Sequence, residues 1–374
     1  MKILQISSAS SFGGGERYLV DLTNALTARG HDLYAAVRPG SPLTAHLGIP
    51  GDNVQTLPLR NALDVQSAQG LARFVKKHQI EVVHAHMARD YSLAAYAAGR
   101  SRLSRFIVTR HVLFPLNRLH RRTLVRAARV IAVSTAVANQ LRSQRLVSNE
   151  RIALIPNGVD VRRFASAGAT FDRVRFMRGK NLPPECLLVG SVGELRTLKR
   201  HQDFIRAAAI VAQEVPDAHF VIAGVDTSAS GETLRELEDL VAQLQLGDRI
   251  SFLGWLEDAE ELLCALDVFV SASQTESFGL AIAEAMAAGT AVVATETDGA
   301  REVIEDRKTG LLVPIGHVDS LAESIVMLLK DEDKRNQLGG QAREAINERF
   351  SLKRMVDEIE KIYLEPMSFK VGQS

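Results

Sequence analysis

Cysteine is nearly absent from this chain of 374 residues, and its two cysteines, Cys186 and Cys264, stand in no C-x-x-C or Cys/His spacing. A disulfide framework and a cysteine-ligated metal centre are thereby excluded, and a reducing compartment fits. No cluster of His, Asp and Glu stands out at ligand spacing, so no metal site is expected. No stretch approaches the run of about 18 apolar residues that a membrane-crossing helix needs, and MKILQISSAS is too short in apolar residues for a signal segment. The chain reads as cytoplasmic, neither secreted nor membrane-spanning. The most pointed absence is local: residues 91 to 149 contain no Asp, Glu or Lys, but eleven arginines, at 100, 102, 105, 110, 118, 121, 122, 126, 129, 142 and 145.

The net charge of +1 hides a division. Residues 1 to 165 hold 23 Lys and Arg against 9 Asp and Glu, and the remainder holds 22 against 35. An ordinary solvated surface mixes signs, so the first half is expected to meet an anionic partner: a membrane surface, a nucleic acid or a phosphorylated acceptor. Hydrophobic residues make up 46%, enough for two cores at this length.

Strand-like and helical segments alternate along the chain. Strands are predicted at 2–6, 32–37, 54–59, 80–85, 106–109, 130–133 and 151–155, with helices at 17–28, 65–78, 91–98, 118–128 and 135–145. Residues 162 to 184, ending in Pro183-Pro184, read as a linker with one helix, after which the alternation restarts and ends in three helical stretches from Ser320 onward. Such alternation argues for parallel sheets covered on both faces.

The stretch Gln274 to Thr290 organises the second half. An apolar strand ends before Glu276, and a small-residue helix, Leu280 to Ala288, is stopped by Gly289. Ligands of open α/β sheets bind at strand C-termini, and the amides of Ser277, Phe278, Gly279 and Leu280 would present the unpaired donors of a helix start, which attract phosphate. Glu284 follows Glu276 by eight residues. That is roughly 12 Å by helical rise plus loop, the reach of a nucleotide-sugar from hexose to ribose. Two surface glutamates on an amphipathic helix would give the same spacing.

Gly13-Gly-Gly-Glu16 after the first strand, His84-Ala-His86, the histidine of Thr109-Arg-His111, Ile155-Pro-Asn-Gly-Val-Asp160 with Phe164, Gly193, Lys199, and Glu276-Ser-Phe-Gly-Leu280 with Glu284 together resemble the retaining GT-B glycosyltransferases of family 4. The resemblance covers the whole chain. It implies two Rossmann-like domains facing a cleft, at 1–165 and 166–351, with a last helix in 352–374 crossing back onto the first. It also implies transfer of a sugar from a UDP- or GDP-linked donor with retention, no cofactor and no metal. On that pattern Glu284 binds ribose and Glu276 the donor sugar. Ser277, Phe278, Gly279, Leu280, Gly14 and Gly15 offer backbone to sugar or phosphate, Lys199 faces the diphosphate, and His111 lies near the reacting sugar. The family often has arginine after the strand glycine, where this chain has Glu194; Arg196 is the candidate replacement. No carboxylate accompanies His111 in its segment, which favours front-face attack over a covalent intermediate, with Glu16 left open.

Two other classes fit parts of the pattern. A nucleotide-sugar epimerase of the same fold would bind the same donor. A nucleotide- or nucleic-acid-binding module would use the arginines on phosphates, but the basic segment carries no interleaved aromatic pattern and no RNA or DNA motif, so no nucleic acid is expected. The first glycine turn also lacks the dinucleotide fingerprint of a dehydrogenase. His84 and His86, two apart on a strand, are expected on opposite faces. A glycan or lipid-linked acceptor, taken at the inner face of a membrane, is the expected partner of the basic half. Arg118, Arg121, Arg122, Arg126 and Arg129, with Leu119 and Val125, would lie on one side of helix 118–128 as the contact.

Overall fold

The computed structural model describes residues 1–228, 230–257 and 259–365. The chain divides into two compact units, Met1–Gly158 with the segment from Leu352 onward, and Val159–Ser351.

The first unit runs β1 (Lys2–Ser7), α1 (Gly14–Ala28), β2 (Asp32–Val37), β3 (Val54–Thr56), α2 (Val65–His78), β4 (Val82–Ala85), α3 (Tyr91–Ala98), β5 (Arg105–Arg110), α4 (His120–Leu124), β6 (Arg129–Ala132), α5 (Thr135–Gln144) and β7 (Ile152–Leu154). Its seven strands are all parallel, in the order β3-β2-β1-β4-β5-β6-β7. The strands are mostly apolar, as in Ile3, Leu4 and Ile6 or Val82 and Val83, because a parallel sheet is covered on both faces.

The second unit opens with α6 (Val161–Thr170) and α7 (Arg173–Gly179). It continues β8 (Leu187–Val192), α8 (His201–Glu214), β9 (Ala218–Ala223), α9 (Glu232–Gln243), β10 (Ile250–Gly254), α10 (Ala259–Ala265), β11 (Val268–Ser271), α11 (Leu280–Ala288), β12 (Ala291–Thr295), α12 (Asp298–Val303), β13 (Leu311–Val313), α13 (Val318–Lys330) and α14 (Glu332–Arg349). Its sheet order is β10-β9-β8-β11-β12-β13, again parallel. Alternate residues feed two cores: Val189, Phe220, Val268, Val270 and Val293 pack on one face, and Leu188, Val221, Phe269, Val292 and Ala294 on the other. That period of two makes the sheet doubly wound.

The last helix, α15 (Leu352–Leu364), belongs to the first unit and packs on α1. Met355, Val356, Ile359, Ile362 and Tyr363 are buried, the apolar stripe of a 3.6-residue period. Arg29 bonds Asp357 and Glu360, each at 2.6 Å, and Arg105 donates to the carbonyls of Tyr363 and Glu365. The division between units falls at Gly158, a few residues before the 165/166 boundary read from the sequence. Its cause is local: the Val159 amide bonds the Phe350 carbonyl, and Phe164 lies in the second unit's core.

Three other local readings are corrected. Helix 118–128 is the five-residue α4. Asn117 binds the Leu119 and His120 amides at its start, while at its end Ala128 donates to Phe106 and so enters the sheet. Residues 162–184 carry two helices, not one, with Asp160 and Asp172 as caps. The glycines 14 and 15 form the first turn of α1, which starts before the expected Arg17.

Candidate functional site

Both sheet orders reverse beside their first strand, between β1 and β4 and between β8 and β11. The loops leaving these strands are where an open α/β sheet binds ligands. In the second unit, the loop after β8 carries Lys199 and the loop after β11 carries Glu276. The two are tied by a backbone bond from the Gln274 amide to the Leu198 carbonyl, 2.8 Å. Lys199 Nζ lies 2.6 Å from Glu276 Oε1, and Ser273 Oγ donates to the same oxygen at 2.7 Å. The lysine's stem passes over Gly193, where an added Cβ would stand 3.4 Å from its Cε.

Behind Glu276 the chain is clamped by a residue with no sequence signal. The Gly299 amide donates to the Glu276 carbonyl at 3.0 Å, and a Cβ on Gly299 would fall 2.7 Å from both that oxygen and the Phe278 amide nitrogen. Only glycine permits that approach. The amides of Ser277, Phe278 and Gly279 have no backbone acceptor among the described residues, as expected of donors opening α11. Gly279 adopts φ +86°, a left-handed conformation, at the helix N-cap. The Phe278 side chain is buried against Phe350, and Leu280 is half-buried, so the backbone of this turn is what a ligand can reach.

Glu284 on α11 stands 3.5 Å from Arg163, which also pairs with the buried Glu260. The sequence reading missed Arg163, Glu260, Ser273 and Gly299. Arg196, the expected substitute cation, bonds Glu194 at 3.1 Å, so the anion that displaces the usual arginine also engages its replacement. Asp331-Glu332-Asp333 is a D-x-D by letter, but it opens α14, where Asp331 caps the Lys334 amide at 2.9 Å. Among the described residues no group of three or more His, Cys, Asp or Glu is placed to hold a metal. Trp255, the sole tryptophan, is half exposed after β10.

In the first unit, His111 follows β5 and lies beside Gly15, whose Cβ would meet its Cγ at 3.8 Å. Its Nε2 is 3.3 Å from His86 Nδ1. His84 and His86 do not face opposite sides. Residues two apart along an extended chain share a face, so the two rings lie 4.2 Å apart, His84 in β4 and His86 just past its end at Ala85. Burial holds all three imidazoles neutral: His84 and His111 are pushed down to about 3, and His86 well below its ordinary value, by desolvation and by one another or by Arg110. These histidines are therefore acceptors and donors of hydrogen bonds, not cations.

Residues 172–345 match the family described as Glycosyl transferases group 1, and residues 12–163 match Glycosyltransferase Family 4. The chain belongs to the group 1, family 4 glycosyltransferases. The glycosyltransferase is 27% identical over 377 residues to the N-acetyl-alpha-D-glucosaminyl L-malate synthase of Bacillus anthracis, covering 96% of each chain. It is 25% identical to the UDP-Gal:alpha-D-GlcNAc-diphosphoundecaprenol alpha-1,3-galactosyltransferase of Escherichia coli, over 98% of this chain and 97% of that one. In fold it is similar to Anabaena HepE, solved in complex with UDP and glucose, with TM-score 0.83 at 23% identity over 96% of this chain and 98% of that chain. The fold is GT-B, two doubly wound parallel-sheet domains.

Proposed function

We propose that this glycosyltransferase transfers a hexose, with retention, from a UDP- or GDP-sugar to a glycan or lipid-linked acceptor of surface polysaccharide, lipopolysaccharide or glycolipid synthesis. The observation that carries the donor half is the Lys199–Glu276 pair at the β8/β11 switch point, set beside the open amides of the α11 turn. Lys199 and those amides oppose the charge that develops on a leaving diphosphate, a role that needs no metal or other cofactor. Glu276 accepts from donor-sugar hydroxyls and Glu284 from ribose. His111, neutral and carrying an imidazole lone pair, accepts a hydroxyl of the reacting sugar. A UDP-linked donor is favoured by the UDP-Gal donor of the Escherichia coli relative and by the ligand of Anabaena HepE.

The acceptor half rests on a surface. Arg118, Arg121, Arg122 and Arg126 are exposed and have no ion pair among the described residues, and they alternate with exposed Phe114, Leu119 and Val125. Arg105, Arg110 and Arg129 are different: they bind backbone carbonyls or Glu365 within the fold. By the structural boundaries the first unit holds 25 Lys and Arg against 12 Asp and Glu, and the second 20 against 32, so the charge division is a property of the units. Among the described residues no helix is long and apolar enough to cross a membrane. The proposed location is therefore the cytoplasmic membrane surface, bound peripherally through this patch. Incubating the protein with a panel of UDP- and GDP-sugars and simple glycan or lipid-diphosphate acceptors, with product stereochemistry read by NMR, tests the reading. An α-linked product from an α-linked donor is expected, with activity surviving excess EDTA. An intact isomerised nucleotide-sugar would make it an epimerase.

A further inference from the structure

The buried polar atoms behind His111 form one connected chain. Gln5, on β1, is 1% exposed and stands at its middle, where it joins two branches. Its Oε1 lies 2.8 Å from His86 Nε2, and its Nε2 donates to Tyr363 Oη at 3.5 Å. Tyr363 Oη is 2.6 Å from His84 Nδ1, and His84 Nε2 is 2.7 Å from Thr109 Oγ1. His86 Nδ1 then meets His111 Nε2.

Each neutral imidazole has one donor and one acceptor nitrogen, so a single fixed polarity propagates along such a chain. An amide oxygen only accepts. With Oε1 toward His86, His86 carries its proton on Nε2, its Nδ1 accepts, and His111 must donate from Nε2. On the other branch the Gln5 amide donates to Tyr363, which donates to His84 Nδ1, leaving His84 Nε2–H for Thr109. Turning the amide over would invert every donor in the set. Gln5 is thus the one element whose orientation decides both branches.

We propose that Gln5 is a positioning residue that fixes His111 as the Nε2–H tautomer through His86, leaving the Nδ1 lone pair of His111 as an acceptor for a substrate hydroxyl. His111 Nδ1 has no hydrogen-bond partner among the described residues, and Gly15 and the edge-on ring of Tyr18, at 4.7 Å, pack the ring in place. Tyr363, on α15, ties the returning helix into the same chain. The neutrality of all three imidazoles fits this arrangement, since an imidazolium has no acceptor nitrogen. The functional weight of the assignment rests on the reading of His111 given above, but the tautomer itself does not.

The test is long-range 1H–15N spectroscopy of the full chain with 15N-labelled histidine at pH 7.5, without ligand. His111 and His86 are expected as Nε2–H tautomers. His111 found as Nδ1–H overturns the proposal with no variant needed. Gln5→Met removes both amide contacts and is expected to give a mixture of tautomers at His111, with kcat reduced about tenfold and KM for the nucleotide-sugar little changed. A Gln5→Met spectrum identical to the parent overturns it. Tyr363→Phe, which cuts only the His84 branch, should leave His111 as Nε2–H; a shift there would show that Gln5 does not decide the polarity. If the tautomers are as stated but His111→Ala retains full kcat, the role given to His111 fails while the assignment stands.

Discussion

Lys199 Nζ and Glu276 Oε1, brought to 2.6 Å by loops from two neighbouring strands, form an ion pair that joins the two sides of the second unit's switch point. The pair is partly buried, with side-chain exposures of 28% and 15%, so each charge is held in a position that a substrate can take over. An ammonium already partly shielded from water and aimed is the preorganised kind of group that stabilises developing charge.

Lys199→Met is expected to lower kcat/KM by about 10²- to 10³-fold, the usual cost of removing one transition-state charge donor. Glu276→Ala should lose transfer more than nucleotide affinity. The double variant should cost less than the product of the single effects, because the two groups act as a unit. Initial rates and calorimetry with the nucleoside diphosphate measure all three. Multiplying effects would show that the two side chains act independently.

Glu284→Ala should weaken binding of the nucleoside diphosphate about tenfold, the effect of roughly 1.4 kcal/mol. It leaves Arg163 its other partner, Glu260, so a large loss of melting temperature is not expected. Unchanged affinity by calorimetry would remove the ribose role.

Gly299→Ala probes the clamp behind Glu276. Its Cβ would meet Glu276 O and Phe278 N at 2.7 Å, so the turn must shift by several tenths of an ångström. Because that turn carries the proposed donor contacts, the expected result is at least a tenfold loss of kcat/KM with the fold retained by circular dichroism. Near-normal kinetics would mean that the turn does not place the donor.

How much of this was legible follows from which interactions are local. The strands, the Glu276 turn and the three terminal helices are encoded in short apolar runs and in Gly279 and Gly289, and they stand where the sequence puts them. The Lys199–Glu276 pair spans 77 positions and was anticipated only as two residues of one family pattern. Gln5 and Tyr363, 358 positions apart, carried no signal because burial and the return of α15 alone bring them together. Gly299 was equally silent, since a glycine that admits a neighbouring backbone looks like any other. Helix 118–128 failed because periodicity does not register competition from the sheet for Ala128 or repulsion among closely spaced arginines.

Stability should fall in acid for a definable reason. His84, His111 and His201, with folded pKa values near 3, 3 and 4, and His86, also lowered, stay neutral in the fold but titrate near 6.5 when unfolded. For each, the unfolded chain binds the extra proton, so stability is fully present above about pH 6.5 and declines below it, by up to about 1.4 kcal/mol per pH unit per histidine. Asp90 has the opposite sign. Burial raises it to about 6, so its contribution is greatest below its unfolded value of 3.8 and is lost as pH rises through 6. Urea unfolding between pH 4.5 and 8 should show stability rising with pH up to about 6.5. Asp90→Asn should steepen that slope between pH 4.5 and 6 by up to one proton. A slope unaffected by the substitution would mean that Asp90 is ionised in the fold throughout.

The basic patch makes the prediction most specific to this chain. Arg118, Arg121, Arg122 and Arg126 are exposed around the short α4, and Leu119 and Val125 beside them are 70% and 49% exposed. Cations near an anionic bilayer contribute about 1 kcal/mol each, and the neighbouring apolar side chains add area that neutral water does not favour. Four such arginines hold a protein reversibly, without a spanning helix. Co-sedimentation with vesicles containing phosphatidylglycerol should be strong at low salt. It should fall steeply as ionic strength approaches 0.1 M, where the Debye length is about 10 Å. Replacing Arg118, Arg121 and Arg122 with Ser should weaken binding by about 3 kcal/mol, roughly 150-fold, with transfer to a short soluble acceptor unchanged. A solvated surface that merely balances the acidic second unit would behave otherwise: equal binding to neutral vesicles, or no effect of the triple substitution, would dismiss the membrane contact.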